Sequence, residues 1–205
     1  MEKIEKLLQY RYHITDETSL HALVKNLTIC QVGKEQQIIS EGEKPTEIYF
    51  LISGILRGFY LSEQGKEITD CFAYEPGEVV ASDIPPESTA TITMETVKPC
   101  LFAALSIHKM YDMMKSYPEI SNIYIQCLTT SLNRHRDHKI ALSRYCAENR
   151  YRWMKRTYPG LMDQVKKKHI ASFLNITPQT MSNLRKRERN EQIGTASDES
   201  SPDAD

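Results

Sequence analysis

The sequence predicts an α+β chain built as an N-terminal β jelly roll (a double-stranded β-helix), a long helix with a self-pairing seam, and a C-terminal all-α helix-turn-helix domain. Three observations predict it. Short apolar runs between Leu27 and Leu105 are punctuated by Gly33, Gly42, Gly54, Gly58, Gly65 and Gly77. Ile125, Leu128, Leu132, His135, Lys139 and Leu142 then recur at spacings of 3-4-3-4-3. Residues 134–190 finally carry 15 Lys/Arg against 4 Asp/Glu, around a bent-helix pattern.

The elements follow in order. Ile4, Leu7 and Leu8 predict one helix, and Thr15 is expected to cap a second with Leu20, Leu23, Val24 and Leu27 on one face. The runs LTICQV, QQIISEG, EIYFLISG, ILRGFYLSEQG, KEITDCFAYEPG, TATITMETV and CLFAAL have the length and turn chemistry of short strands. From Ile107 to Tyr117 the period is helical, Pro118 stops it, and Glu119 opens the seam helix. Such a seam suits packing on a symmetry mate, with Ile125, Leu128, Leu132 and His135 at its centre. Residues 144–190 read as three helices: one ending near Tyr158-Pro159-Gly160, one from about Met162 to Leu174, and one from Pro178. Residues 191–205 are small, polar and acidic, and are expected to be disordered.

Composition limits what the chain can be. At 205 residues, 40% apolar, with mean hydropathy −0.49, it allows one or two domains and offers no apolar run that could cross a bilayer. MEKIEKLLQY lacks a signal peptide's apolar stretch and contains acids foreign to a transit peptide, so the expected location is cytoplasmic, with no membrane partner. Five scattered cysteines have neither zinc nor iron–sulfur spacing and read as buried, reduced thiols. The net charge of −1 conceals a segregation: −7 over residues 1–133, +11 over 134–190 and −5 over 191–205. A basic segment so confined suits a polyanion.

Within that segment ITPQTMSNLRKR starts a helix firmly, with Thr177 to cap it and Pro178 at its first position. Ile170, Leu174, Ile176, Met181 and Leu184 supply a wedge of core. Ala171 permits close approach of two helices, and Asn175 tolerates positive φ in the turn. Once these face inward, Thr177, Gln179, Ser182, Asn183 and Lys186 are left facing out, with Thr180 a further candidate in the same turns. Amides and hydroxyls read base edges, while Lys166, Lys167, Lys168, Arg185 and Lys186 can hold phosphates. The pattern is that of a DNA-binding helix-turn-helix.

The order of parts, together with EGEKPTEIYFLISGILRGFY, YEPGEVV and the helix-turn-helix, resembles the Crp-Fnr superfamily of bacterial transcription regulators over residues 5–189. QGKEITDCFAYEPGE and AENRYRWMKRTYP further resemble a subgroup common in Bacteroidetes-like bacteria. The resemblance implies a cyclic-nucleotide-binding-like sensor domain at 1–118, a dimerisation helix at 119–143, a DNA-binding domain at 144–190 and an acidic tail at 191–205. It implies a homodimer on an inverted-repeat operator in double-stranded DNA, and allows RNA polymerase as a further partner. Gly77-Glu78 keeps the first turn of the family's nucleotide cassette. Ala81, Ser82 and Asp83 stand where a second Gly-Glu turn is expected, and Ser88, before Thr89-Ala90, stands where an arginine would pair with the cyclic phosphate. A serine hydroxyl is uncharged and too short for that task. Cyclic AMP is therefore not the expected effector, no cofactor is expected, and the effector stays open. Arg57, Gly77, Glu78, Ser82, Ser88 and Thr89 are the candidate pocket residues, with Arg57 and Lys66 as alternative cations. Relatives often add a β-hairpin wing after the recognition helix, whereas here the chain turns acidic at Glu191.

Two other classes compete. One is a regulatory module that binds a small molecule or a protein but no DNA; the outward amides and cations speak against it. The other is a jelly-roll enzyme, which needs a His and Glu metal cluster on its strands, and residues 27–105 contain no histidine. His135-x-x-His138 could place two imidazoles on one helical face, but lies in the polar stretch RHRDHK. No catalytic residue and no metal site is assigned.

Overall fold

The computed structural model describes residues 1–83 and 85–198. Its first compact unit is Met1–Asp137, and a second begins at His138.

Helix α1 (Glu2–Tyr12) has Glu2 and Glu5 in its first turn and Arg11 in its last, the charge order that suits the helix dipole. Ile4, Leu8 and Tyr12, four apart, make its buried face. Helix α2 (Glu17–Lys25) is capped by Asp16, not by the expected Thr15: the Asp16 carboxylate accepts from the Ser19 and Thr18 hydroxyls, and from the amides of the same two residues, which holds it down at about 2. Thr15 instead donates its amide and hydroxyl to Glu119.

The strands are β1 (Thr28–Val32), β2 (Gln37–Ile39), β3 (Glu47–Ser53), β4 (Leu56–Leu61), β5 (Glu67–Ala73), β6 (Val79–Val80), β7 (Thr93–Thr96) and β8 (Cys100–Ser106). They form two antiparallel four-stranded sheets, ordered β1-β8-β3-β6 and β2-β7-β4-β5, which is the expected jelly-roll sandwich. Alternation along each strand builds two cores. Leu51, Leu56, Ala73, Met94 and Phe102 fill the space between the sheets. Ile48, Phe50, Ala103 and Leu105 face the other way, against α1, α2, α3 (Ile107–Ser116) and the first turns of α4 (Pro118–Arg144). Burying each Leu, Ile, Phe or Met among these contributes about 1.5–3 kcal/mol.

Helix α4 covers the segment 119–143 expected to join two copies, and the division between the two units falls inside it, after Asp137. Ile120 and Ile123 lie in the core of the first unit. His138 packs instead on the aromatic residues of the second.

The second unit continues with α5 (Ala147–Thr157), α6 (Leu161–Gln164), α7 (Lys167–Phe173) and α8 (Pro178–Asp198). The single helix expected from Met162 to Leu174 is thus two. Val165 adopts extended backbone between them, φ −112 and ψ 145, and is itself buried. A hydrophobic spacing read as one helix conceals this break, because the period is nearly kept across it. Helix α8 runs on to Asp198, so residues 191–198 of the segment expected to be disordered are helical. The rest of that segment, 199–205, lies outside the described residues. The free cysteines differ as well: Cys100 is buried, with its thiol pushed up to about 11, whereas Cys146 is exposed.

Candidate functional site

Two regions collect the expected functional side chains. In the second unit, Asn175 has φ 49 at the turn between α7 and α8. The Ile176 amide donates to Ala171 O at 2.9 Å, closing the end of α7. The Thr177 hydroxyl accepts from the Thr180 amide at 3.0 Å, and Pro178 follows as the first residue of α8. Ile170, Ala171, Leu174, Met181 and Leu184 are buried, and Ile176 is half-buried. Each residue assigned to the bend therefore performs the expected task.

The outer face of α8 carries Gln179, Ser182, Asn183 and Lys186, all exposed. Gln179 Nε2 donates to Asn183 Oδ1 at 3.2 Å, which puts the two amides side by side. Thr177 is exposed, while Thr180 is half-buried with its hydroxyl 2.8 Å from that of Thr177, so Thr180 serves the cap. Lys166, Lys167 and Lys168 are exposed around the start of α7. Three cations at a helix N-terminus oppose the helix dipole, a cost that a bound polyanion would offset.

Arg185, expected to hold a phosphate, is half-buried, donates to the Met162 carbonyl and sits 3.6 Å from Asp163, so one nitrogen of its guanidinium ties α8 to α6. Two further ties were not legible in the sequence. Glu188 accepts from Tyr151 at 2.7 Å and pairs with Lys155, whose hydrogen bond keeps the carboxyl below its usual range, while burial and Glu188 push Tyr151 up to about 12. His138 stacks on Phe173 with ring centroids 3.9 Å apart, lies parallel to Trp153 at 5.9 Å, and makes a 2.8 Å hydrogen bond to Phe173 O. His135 lies with Nδ1 3.9 Å from Asp70, so the two histidines have separate partners.

In the sensor region Gly77 has φ 82, and a Cβ there would lie 3.0 Å from Arg11 Cγ. Tyr12 donates to Gly77 O at 2.7 Å. Glu78 accepts from the Tyr74 and Glu75 amides at 3.1 and 3.2 Å and forms an ion pair with Arg134 of α4. Arg134 also reaches Glu75 at 3.1 Å, and Arg11 reaches Glu75 at 2.8 Å. Burial raises the Glu78 carboxyl above the ordinary range, with Arg134 and the two amides opposing the rise. The cassette glutamate thus already has a cation within the chain.

Ser88 sits in a turn with its amide on Pro85 O at 3.0 Å, and Thr89 is exposed. Ser82 is half-buried, and its hydroxyl has no hydrogen-bond partner among the described residues. Arg57 does not join the pocket. Leu56 and Gly58, on either side of it in β4, face the interior, so Arg57 points to the opposite face. There it pairs with Glu67 at 2.6 Å and Glu95 at 3.4 Å and lies 4.1 Å over the Phe59 ring. Gly58 is closely surrounded on its interior side: a Cβ there would lie 2.6 Å from Cys71 Sγ, 2.9 Å from Ile92 Cδ1 and 3.1 Å from Met94 Sδ.

A cavity of about 80 Å³ lies elsewhere in the unit, on the far side of the first sheet, walled by Phe50, Leu105, Met110 and Ile123, with Asp83 and Ser131 among its lining residues. On α4, Ile125 and Leu132 are 57% and 69% exposed, Leu128 is half-buried and His135 is exposed. Ile125 and Leu132 are thus apolar side chains that the described residues of their own unit leave largely uncovered.

Residues 29–117 match the family model described as the cyclic nucleotide-binding domain. No curated protein sequence matches the chain. Among solved structures, FixK2 from Bradyrhizobium japonicum superimposes with a TM-score of 0.72 at 18% identity, over 82% of this chain and 86% of that one. CLP of Xanthomonas campestris, described as a c-di-GMP responsive global regulator, gives 0.69 at 13% identity, over 86% and 93%. CooA from Carboxydothermus hydrogenoformans, as a double mutant, gives 0.67 at 17% identity, over 90% and 84%.

Proposed function

We propose, from the premise that this chain has the Crp-Fnr fold with a cyclic nucleotide-binding domain at residues 29–117, that it is a sequence-specific, dimeric, DNA-binding transcription regulator. One observation carries the reading: in the first turns of α8 the helix-turn-helix core leaves Gln179, Ser182, Asn183 and Lys186 exposed. Paired amides on one helical face can donate to and accept from adenine in the major groove, and the lysines around α7 can meet phosphates. The seam on α4 would join two copies, so that each half-site of an inverted repeat meets one α8, with centres about 34–36 Å apart.

A signal received by the sensor unit would act by shifting the population of DNA-competent dimers. Cyclic AMP is not that signal in this proposal, since Ser88 replaces the phosphate-pairing arginine and Arg57, the alternative cation, is paired with Glu67 and Glu95. No helix among the described residues is long and apolar enough to cross a membrane, which accords with a cytoplasmic protein.

The test is a gel shift with fragments selected from the source genome, using wild type and a charge-reversed variant at Lys166, Lys167 and Lys186. Specific binding by wild type and its loss in the variant are expected. Equal retention of both would defeat the proposal.

A further inference from the structure

We infer that the sensor unit receives its ligand in the cavity beneath α4, and that the ligand is a small, non-anionic, mainly apolar molecule carrying one hydrogen-bond donor. Around Gly58 the space between the sheets is closely packed, since a Cβ there would lie 2.6 Å from Cys71 Sγ, 2.9 Å from Ile92 Cδ1 and 3.1 Å from Met94 Sδ. Glu78 is engaged by Arg134 and by two backbone amides, and Ser88 brings no charge. A nucleotide phosphate would have to compete there with Glu78 and Glu75 for Arg134.

The cavity on the far side of the first sheet is different. Leu23, Phe50, Leu105, Met110 and Ile123 give it apolar walls, and its volume is about 80 Å³. An apolar cavity of about 150 Å³ holds benzene and stays dry otherwise, so this smaller one suits a molecule smaller than benzene. Asp83 also lines it. The Asp83 carboxylate accepts from the Thr91 amide at 2.8 Å and the Thr91 hydroxyl at 2.7 Å, and an ionised carboxylate has further lone pairs to offer. It accepts and does not donate, so it favours a hydroxyl or amino group and repels an anion. The cavity is walled on one side by α4, which contributes Ile120, Ile123, Leu128 and Ser131, and Leu128 is also a seam residue. An occupant therefore touches the helix through which two copies would pair. That the occupant is an effector rests on the regulator reading above; that the cavity takes such a molecule does not.

The experiment follows methyl NMR signals of the full chain during titration with 1-propanol and, separately, with propionate. Saturable shifts at Met110, Ile120 and Ile123 with 1-propanol, and none with propionate, are expected. Val79→Phe and Ser131→Leu, each of which fills the cavity from a different element, should abolish the response while leaving the Ile92 and Met94 methyls in place. If Val79→Phe fails to fold, Ser131→Leu, on a half-buried helical position, still decides the matter. No shift in wild type, shifts centred on Ile92 and Met94, or an equal response to propionate would overturn the assignment. DNA affinity is measured in parallel with and without saturating 1-propanol. A severalfold change that disappears in the filled variants is expected, and an unchanged affinity would overturn the effector role. Absence of DNA binding under all conditions would defeat the regulator reading, while the NMR result on the cavity would stand by itself.

Discussion

Asn183 and Arg185 lie two residues apart on α8, and their surroundings give them different tasks. Asn183 is exposed beside Gln179, so Asn183→Ala is expected to cost about 1–3 kcal/mol on the preferred site and to relax preference at one base pair. Sequencing of sites selected by wild type and variant checks this, and identical preferences would exclude Asn183 as a reader. Arg185 holds the Met162 carbonyl, so Arg185→Ala should destabilise the second unit by about 1–2 kcal/mol, as expected for a partly solvated charged hydrogen bond, and leave the salt dependence of DNA binding unchanged. Thermal melting with a salt titration separates the two effects. At Glu78 the carboxyl is raised by burial, and Arg134 holds it down. Removing the cation by Arg134→Met should raise it further. The loss of stability, about 1–3 kcal/mol, is then present at neutral pH, where Glu78 must ionise unpaired, and fades as pH falls and the carboxyl takes up its proton. A melting-temperature difference that is constant between pH 4 and pH 8 would contradict this account.

At the scale of the element, α4 serves two units. Its first turns lie in the core beside the sandwich through Ile120 and Ile123, and its end joins the stack of His138, Phe173 and Trp153. His138→Ala removes a stacked ring and a hydrogen bond together, and is expected to cost the second unit about 1–3 kcal/mol. Between those ends, Ile125 and Leu132 are exposed at positions seven apart. The double variant Ile125→Glu and Leu132→Glu should sediment as a monomer while the first unit melts at an unchanged temperature, since neither side chain is buried within it. A dimer that persists would show that another surface pairs the copies.

For the whole molecule the decisive quantity is how charge is distributed along the chain. Residues 134–190 carry a net +11 and residues 1–133 a net −7, so a polyanion meets attraction in one part and repulsion in the other. If about five to eight phosphates are neutralised, DNA affinity should fall on the order of 10³-fold between 50 and 200 mM salt. Fluorescence anisotropy across that range checks the slope, and a flat profile would place the contacts away from the lysines. Titration calorimetry with cyclic AMP should show no heat of binding at micromolar protein.

The sequence alone determined the order of the parts and the bend of the helix-turn-helix, because both depend on local rules. Turn glycines punctuate strands, Thr177-Pro178 caps a helix whatever surrounds it, and only a few residues tolerate the positive φ found at Asn175. The tertiary structure decided what local rules leave open. Whether an arginine meets solvent, a carbonyl or a carboxylate depends on residues far along the chain, as Arg185 with Met162 and Arg57 with Glu95 show. The break at Val165 and the cavity beneath α4 follow from how elements distant in sequence fill space together, and periodicity carries no record of that packing.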